Sequence, residues 1–462
     1  MHHTQYIYLR LCRPVCAITP SGAGGCLRPA ALQQRAGPAG PWHVVGFTEG
    51  YSLNGARIVL RYGVLGMYIY GCECQFACIT IGCCFFVVLF YIENKPNTTG
   101  STLSTCQKKR TVIMSPLNIG VVGTGIFARD GHLPVFQDHP DQFKVVAAFN
   151  KTKAKAESFA EAAAIPSNKV FDSMDALIQD PEVDYVDALL PAQFNLEIVK
   201  KCIAAGKPVQ IEKPIAANME QARALVNATE ATDIPVAISE NWSFLDAITV
   251  AKKHLPRIGE VVGFQHNSTG PFVTHNKYMA TSWRQHPEHI GGFLSDGGVH
   301  QLALLTALVG EIESISALTS QVREASGADD IVFSTLKIRD SKCIGSFSYG
   351  SAFGATDKWI YLKIYGVNGS IMIELNNKAA PVVRVRVGAD AEHAGEEEVY
   401  NVAEEKSFGI YHEFDNFHAA VSKKDKSLII STPRAAFHHL ACVAAFIKSS
   451  ENNGDHVEVE QY

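Results

Sequence analysis

Two short stretches carry side chains able to manage a proton and a charged oxygen. The first is "KPVQIEKP", residues 207–214, an apolar run ending in Glu212-Lys213-Pro214. An ammonium at a strand end, where a sheet opens, can hold an oxygen on which negative charge develops. An ordinary exposed lysine fits the same position. The second is "GGFLSDGGVHQLALLTALVG", residues 291–310. If helical from about Leu294, it sets Asp296 and His300 at i and i+4 on one face. A carboxylate beside an imidazole orients the ring and keeps it a competent base near neutral pH. A capped helix with an incidental histidine fits the same residues. Between the two lies "TSWRQHPEHI", residues 281–290, where Trp283 and Arg284 read as substrate-pocket walls or as packing. His286 and His289 invite a metal reading, but a zinc helix needs histidines four apart and Pro287 disrupts the turn, so no metal is expected.

The elements that would position these groups begin at "NIGVVGTGIFARDGHLP". A short apolar strand, residues 117–122, runs into Gly123-Thr124-Gly125-Ile126-Phe127-Ala128, which fits G-x-G-x-x-A. The first glycine allows a tight turn, the second lets backbone approach a pyrophosphate, and the small sixth residue lets helix pack on strand. Strand-like runs at 143–150, 183–191, 207–214 and 234–238 alternate with helical patterns at 153–164, 195–205 and 217–229. That alternation predicts a parallel, doubly wound sheet, with ligands beyond the carboxyl ends of its strands. Those ends hold Gly123 to Phe127, Asn150 to Lys153, Pro191, Gln193 and Asn195, and Glu212 with Lys213. The second strand ends on Asn150-Lys151-Thr152-Lys153. No carboxylate stands there to meet a ribose 2′-hydroxyl, and Lys151 and Lys153 could pair with a 2′-phosphate. The expected cofactor is therefore NADP(H) in preference to NAD(H), although a solvated basic helix start has the same composition.

Beyond residue 239 the runs "SISALTSQV", "DIVFSTLKI", "CIGSFSYGS", "WIYLKIYG" and "SIMIEL" predict a mostly antiparallel sheet, and two helical patterns close the chain. The expected organisation is an extension at 1–113, a nucleotide domain at 114–238 and a substrate domain at 239–462. The net charge of −5 hides a split: residues 1–113 hold ten Lys/Arg against three acids, leaving −12 for the rest. An acidic core argues against a nucleic-acid surface. Nine of the twelve cysteines precede residue 114, and three widely spaced ones follow, as in a reduced cytoplasmic domain. "CECQFAC" has ligand-like spacing but no downstream partner pair. The charge-free run at 74–92 is long enough to span a bilayer. Three readings of the extension follow: untranslated sequence ahead of a start at Met114, a membrane anchor, or a targeting or disordered segment.

"GVVGTGIFA", "EKP", "SWR" and "GGFLSDGGVH" stand in the order of the landmarks of the Gfo/Idh/MocA family, and residues 114–462 resemble that family throughout, including an uncharacterised fungal NADP(H)-dependent member. The resemblance implies an N-terminal Rossmann domain and a C-terminal α/β domain whose large sheet makes dimer or tetramer contacts. It implies that Lys213 and His300 flank the reacting carbon with Asp296 alongside. Two positions depart from the pattern: Asn195 stands in place of a histidine, and Ala303 in place of an aspartate that contacts sugar hydroxyls. The expected function is hydride transfer between the nicotinamide and a small hydroxyl or carbonyl substrate: a sugar, a polyol or an aldehyde. The competing class is a non-catalytic dinucleotide-binding regulator of the same fold, but such a sensor would be free to lose Lys213 and His300.

Overall fold

The protein is described from a computed structural model, covering residues 116–273, 277–278, 281–390 and 392–462, with the side chains of Ser282 and Trp283 outside the described set. Backbone strands β1 (Thr48–Leu53), β2 (Ala56–Tyr62) and β3 (Val88–Leu89) are also described and form an antiparallel sheet in that order. They belong to a unit of their own, Met1–Arg110, distinct from Thr111–Tyr462. Most of the apolar run at 74–92, and "CECQFAC" with it, lies outside the described residues. Among the described residues no helix is long and apolar enough to cross a membrane.

The larger unit starts with six parallel strands: β4 (Leu117–Val122), β5 (Phe143–Phe149), β6 (Val170–Phe171), β7 (Tyr185–Ala188), β8 (Val209–Glu212) and β9 (Val236–Ser239). Their spatial order is β6-β5-β4-β7-β8-β9, so the chain reverses direction across the sheet between β4 and β7. The intervening helices are α1 (Leu133–Asp138), α2 (Lys153–Ala162), α3 (Met174–Gln179), α4 (Asn195–Ala204) and α5 (Met219–Glu230). Such strands read as continuous apolar runs because helices cover both faces; Tyr185, Val186 and Ala188 are fully buried. The expected doubly wound sheet is therefore present, and its switch point lies beside the glycine turn.

The second sheet has nine strands. After α6 (Asp246–His254) come β10 (Val261–Pro271), α7 (Ser282–Gln285), α8 (Phe293–Val309), β11 (Ile312–Ser320), β12 (Ile331–Ile338), β13 (Ile344–Phe353), β14 (Trp359–Gly366), β15 (Gly369–Glu374), β16 (Val382–Val387) and β17 (Glu397–Asn401). Helices α9 (Ile410–Lys423) and α10 (Pro433–Glu451) precede β18 (Val457–Glu458). The order is β17-β16-β15-β14-β10-β13-β12-β11-β18, antiparallel throughout except for the parallel pair β10 and β13. One face packs on α8 and α10. The other leaves Leu318, Phe333 and Ile344 more than half exposed (60%, 52% and 57%).

The boundary expected at 238/239 divides the strands but not the helices. Phe414 and Phe417 of α9 share a core with Ile119, Val121 and Tyr185 of the parallel sheet. A late helix thus completes the first layer, which local sequence could not reveal.

Candidate active site

The turn after β4 follows from its glycines. Gly123 has φ +94°, and a side chain there would collide with the Leu189 carbonyl. Gly125 is different: a Cβ would meet nothing within 4 Å. Internal packing therefore does not require glycine at 125, whereas a ligand backbone drawn close over the turn would. Thr124 is buried, while Ile126 and Phe127 are partly exposed beside it. The helix that starts at Ile126 passes through a π-helical turn, Ala128–His132, before α1. These residues fit a dinucleotide. Nearby, Asn150 Oδ1 accepts from the Thr152 amide at 2.9 Å. Lys153 pairs with Asp172 at 2.8 Å, whereas no ion pair is formed by Lys151 among the described residues.

At the end of β8, Lys213 Nζ donates to Asp296 Oδ1 at 2.9 Å and also to the Asp296 carbonyl. Arg284 Nε donates to Asp296 Oδ2 at 2.7 Å, and its Nη2 to Oδ1 at 3.3 Å. Burial opposes the Asp296 charge, but Lys213 and Arg284 together hold its carboxyl well below the usual range. Asp296 is thus an anchor that collects two cations from different elements. Pro191 and Gln193 stand at the neighbouring strand end, with Gln193 Nε2 donating to Glu288 at 2.9 Å.

Three sequence expectations are corrected here. Asp296 does not orient His300. That role falls to Glu240, one residue beyond β9, whose Oε1 accepts from His300 Nδ1 at 2.6 Å. The i, i+4 argument put Asp296 and His300 on one face correctly, but Lys213 and Arg284 draw the aspartate elsewhere. Burial disfavours the Glu240 charge, yet His300 lowers its pKa below the ordinary value, so the carboxylate accepts and Nδ1 must carry the proton. Trp242 lies along the imidazole, centroids 5.7 Å apart and 19° from parallel.

The second correction concerns Asn195. It is fully buried, and its Nδ2 donates to the carbonyls of Glu212 (2.9 Å), Pro214 (3.1 Å) and Ile215 (3.3 Å). It fixes the backbone around Lys213, while its Oδ1 accepts no hydrogen bond among the described residues. The third is Glu212, whose side chain turns inward: Oε1 lies 3.2 Å from Nε2 of buried His132.

His132, just after the glycine turn, was assigned no role from sequence. Its Nδ1 also lies 2.8 Å from Asp187 Oδ2. Burial works against a charged ring, but Asp187 and Glu212 outweigh it and raise the His132 pKa to about 10. Glu413 of α9 lies in the same interior and accepts from Gln210 Nε2 at 3.1 Å. Burial, reinforced by Glu212, raises the Glu413 pKa well above the usual carboxyl value.

Residues 117–239 match the oxidoreductase family's NAD-binding Rossmann fold, and residues 252–459 match its C-terminal alpha/beta domain. The chain belongs to the Gfo/Idh/MocA oxidoreductase family. An uncharacterised protein of Saccharomyces cerevisiae is 62% identical over 348 residues, covering 75% of this chain and 100% of that protein. Levoglucosan dehydrogenase of Pseudarthrobacter phenanthrenivorans is 25% identical over 296 residues, 57% of this chain and 75% of its own. An oxidoreductase structure from Thermotoga maritima aligns at TM-score 0.65 and 30% identity, covering 74% of this chain and 98% of that one. A levoglucosan dehydrogenase complex with NADH and L-sorbose shares the fold at TM-score 0.65 and 20% identity, covering 76% and 100%.

This Gfo/Idh/MocA enzyme gathers Lys213 and Glu240 around one small cavity, with Val299 and His439 also lining it. Arg284 and Asp296 line a second, adjoining α8 at Phe293. Trp283 belongs to α7, beside Arg284. Glu240 was missed because its only sequence signal is its place just beyond a strand end, a signal shared by every strand.

Proposed function

We propose that the chain is an NADP(H)-dependent oxidoreductase acting on a small hydroxyl or carbonyl compound, of the sugar, polyol or aldehyde class. The observation that carries this reading is the pair of braced side chains beyond neighbouring strand ends, Lys213 held by Asp296 after β8 and His300 held by Glu240 after β9. Bound nicotinamide would supply the hydride acceptor or donor. In oxidation His300 Nε2 takes the hydroxyl proton, and Glu240 stabilises the imidazolium that results. Lys213, steadied by Asp296, holds the same oxygen while negative charge develops on it. In reduction the roles reverse. Gly123, Thr124, Gly125, Ile126 and Phe127 would carry the pyrophosphate side of the cofactor, and Asn150 and Lys151 its ribose.

The 2′-phosphate preference rests on Lys151 alone, since Lys153 already pairs with Asp172. A charge-assisted contact contributes about 1.5–3 kcal/mol, roughly ten- to a hundredfold in affinity. Lys151→Ala should weaken NADPH binding by that factor and leave NADH binding within about twofold. Equal losses for both would remove the assignment. The reading includes a cytoplasmic location, supported by the free, buried thiols of Cys202, Cys343 and Cys442, and a homodimer or homotetramer, supported by the exposed apolar face at Leu318, Phe333 and Ile344. Light scattering on purified protein measures the second point. The test of function is purified protein with NADPH or NADP⁺ and a panel of aldehydes, sugars and polyols, following absorbance of the reduced nicotinamide. Tight dinucleotide binding without turnover of any compound would favour a regulator instead.

A further inference from the structure

Two lysines near this site have no acidic partner among the described residues. Lys358 precedes β14, and Lys378 lies in the turn after β15. Elsewhere in the molecule lysines commonly meet a carboxylate, as Lys169 meets Asp180 and Lys201 meets Asp175. Among the described residues no carboxylate acts on either Lys358 or Lys378. Both are exposed to solvent, although neighbouring protein takes the place of part of their water. That desolvation lowers the Lys358 pKa, and with the charge of Lys358 added it lowers Lys378 to about 8.

The sheet brings the two together at the end that faces the catalytic elements. Thr269 of β10 pairs with Trp359 of β14, and the Ile360 amide donates to Asn376 Oδ1 at 2.7 Å. The turns carrying Lys358 and Lys378 are therefore neighbours, beside the point where β10 leaves toward Tyr278 and Arg284. A side chain on Gly270 would touch Lys358 Cγ at 3.1 Å. One residue back from Thr269, Ser268 pairs with Tyr349, whose ring stacks on Phe293 at the start of α8, 5.8 Å away. Lys378 Nζ lies 4.6 Å from the centre of the Phe408 ring and 5.6 Å from that of Trp242. Trp242 is the ring that lies along His300.

Two like charges brought close repel each other, and an arriving anion relieves that repulsion while forming charge-assisted hydrogen bonds. The dinucleotide's phosphates are accounted for on the other sheet, at the ends of β4 and β5. We infer that Lys358 and Lys378 form a subsite for an anionic group on the substrate, a carboxylate or a phosphate monoester carried by a hydroxylated carbon chain. This inference rests on the oxidoreductase reading for its location. It narrows the substrate from sugars and polyols in general to their acids and phosphate esters.

The test is calorimetric binding to the full chain saturated with NADP⁺, using D-gluconate, D-glucuronate and D-glucose 6-phosphate against the neutral D-glucose and D-sorbitol. At least one anionic probe should bind about ten- to a hundredfold more tightly than its neutral partner. Which probe does so separates carboxylate from phosphate. Lys358→Ala/Lys378→Ala should erase that difference, Lys378→Arg should retain most of it, and NADPH affinity should stay within about twofold in both. Anions that bind no better than neutral probes, or that bind the double variant as well as the wild type, would overturn the subsite. A double variant with weakened NADPH affinity would reassign the lysines to the cofactor and also overturn it. The parent reading fails separately: lysine-dependent anion binding without turnover of any compound removes hydride transfer and keeps the subsite. Turnover of neutral sugars with unchanged KM in the double variant, without an anion preference, does the reverse.

Discussion

His132 and His300 are the same side chain in nearly the same bond, yet they are suited to opposite tasks. Each directs Nδ1 at a carboxylate, at 2.8 Å to Asp187 and 2.6 Å to Glu240. His132 is 1% exposed and has a second carboxylate, Glu212, at its other nitrogen. With a pKa raised to about 10 it remains an imidazolium at neutral pH, so it cannot take a proton from anything. His300 is 19% exposed and has one carboxylate, at Nδ1, among the described residues. One carboxylate at Nδ1 makes an oriented base; carboxylates at both nitrogens, sealed from water, make a fixed cation.

The largest effects should come from the base. His300→Asn should reduce hydride transfer by about 10²–10⁴-fold, the usual contribution of a positioned proton acceptor. Lys213→Met should act similarly on turnover. Dinucleotide affinity, measured by fluorescence titration, should change little in either, because the glycine turn is separate from both. Wild-type kcat in both variants would end the proposed roles. Glu240→Gln tests the orienting carboxylate: the ring stays, but its partner is no longer charged. A misdirected base costs about 10²-fold, and Asp296→Asn should not reproduce a His300-specific defect, since Asp296 holds Lys213 and Arg284 instead.

His132 should respond in stability. Removing one member of a buried ion pair costs about 3–5 kcal/mol, so His132→Ala should shift the urea midpoint strongly. In the wild type the sign with pH is fixed by the raised pKa. The unfolded histidine titrates near 6.5, so the contribution is complete below that and is lost as pH rises through about 10. Denaturation curves from pH 6 to 10 should show that decline, and His132→Ala should flatten it. A variant as stable as wild type, with the same pH slope, would dissolve the contrast between the two histidines.

What the sequence made legible follows the distinction between local and distant causes. Gly123, Gly125 and the alternation of apolar runs with helical patterns are local, and the parallel sheet follows from them. Lys213 and His300 could be singled out as candidates because each stands in a short run with its own signature. The partners were not. Glu240 reaches His300 across sixty positions, and Asn195 braces the Lys213 backbone from a neighbouring strand end. His132 was visible in the opening motif, but its carboxylates come from β7 and β8, strands distant in sequence. Helical spacing alone assigned Asp296 to His300, and it failed because two cations from β8 and α7 compete for the same carboxylate.

The smallest effect should come from Glu413, and it tests whether the buried cluster around His132 is already saturated with negative charge. Glu413 is 3% exposed, and burial together with Glu212 raises its pKa well above the ordinary value, which favours the protonated acid. Glu413→Gln replaces the acid with a neutral side chain of the same shape. The Gln210 amide can still donate to its oxygen, as it now donates to Oε1 at 3.1 Å. The change in stability at pH 7 should stay within about 1 kcal/mol. Its sign depends on pH. A carboxyl raised in the folded state binds a proton there that the unfolded chain releases above about pH 4.5, so wild-type stability declines as pH rises from that point toward the raised value. Glutamine carries no such proton. The variant should therefore gain on wild type as pH rises above about 4.5, measured by paired urea denaturation. If Glu413→Gln instead costs as much as His132→Ala, with a loss that grows toward high pH, Glu413 is an ionised third partner of His132. The imidazolium would then be held by three carboxylates, and the separation between a locked histidine and a working one would rest on charge count more than on burial.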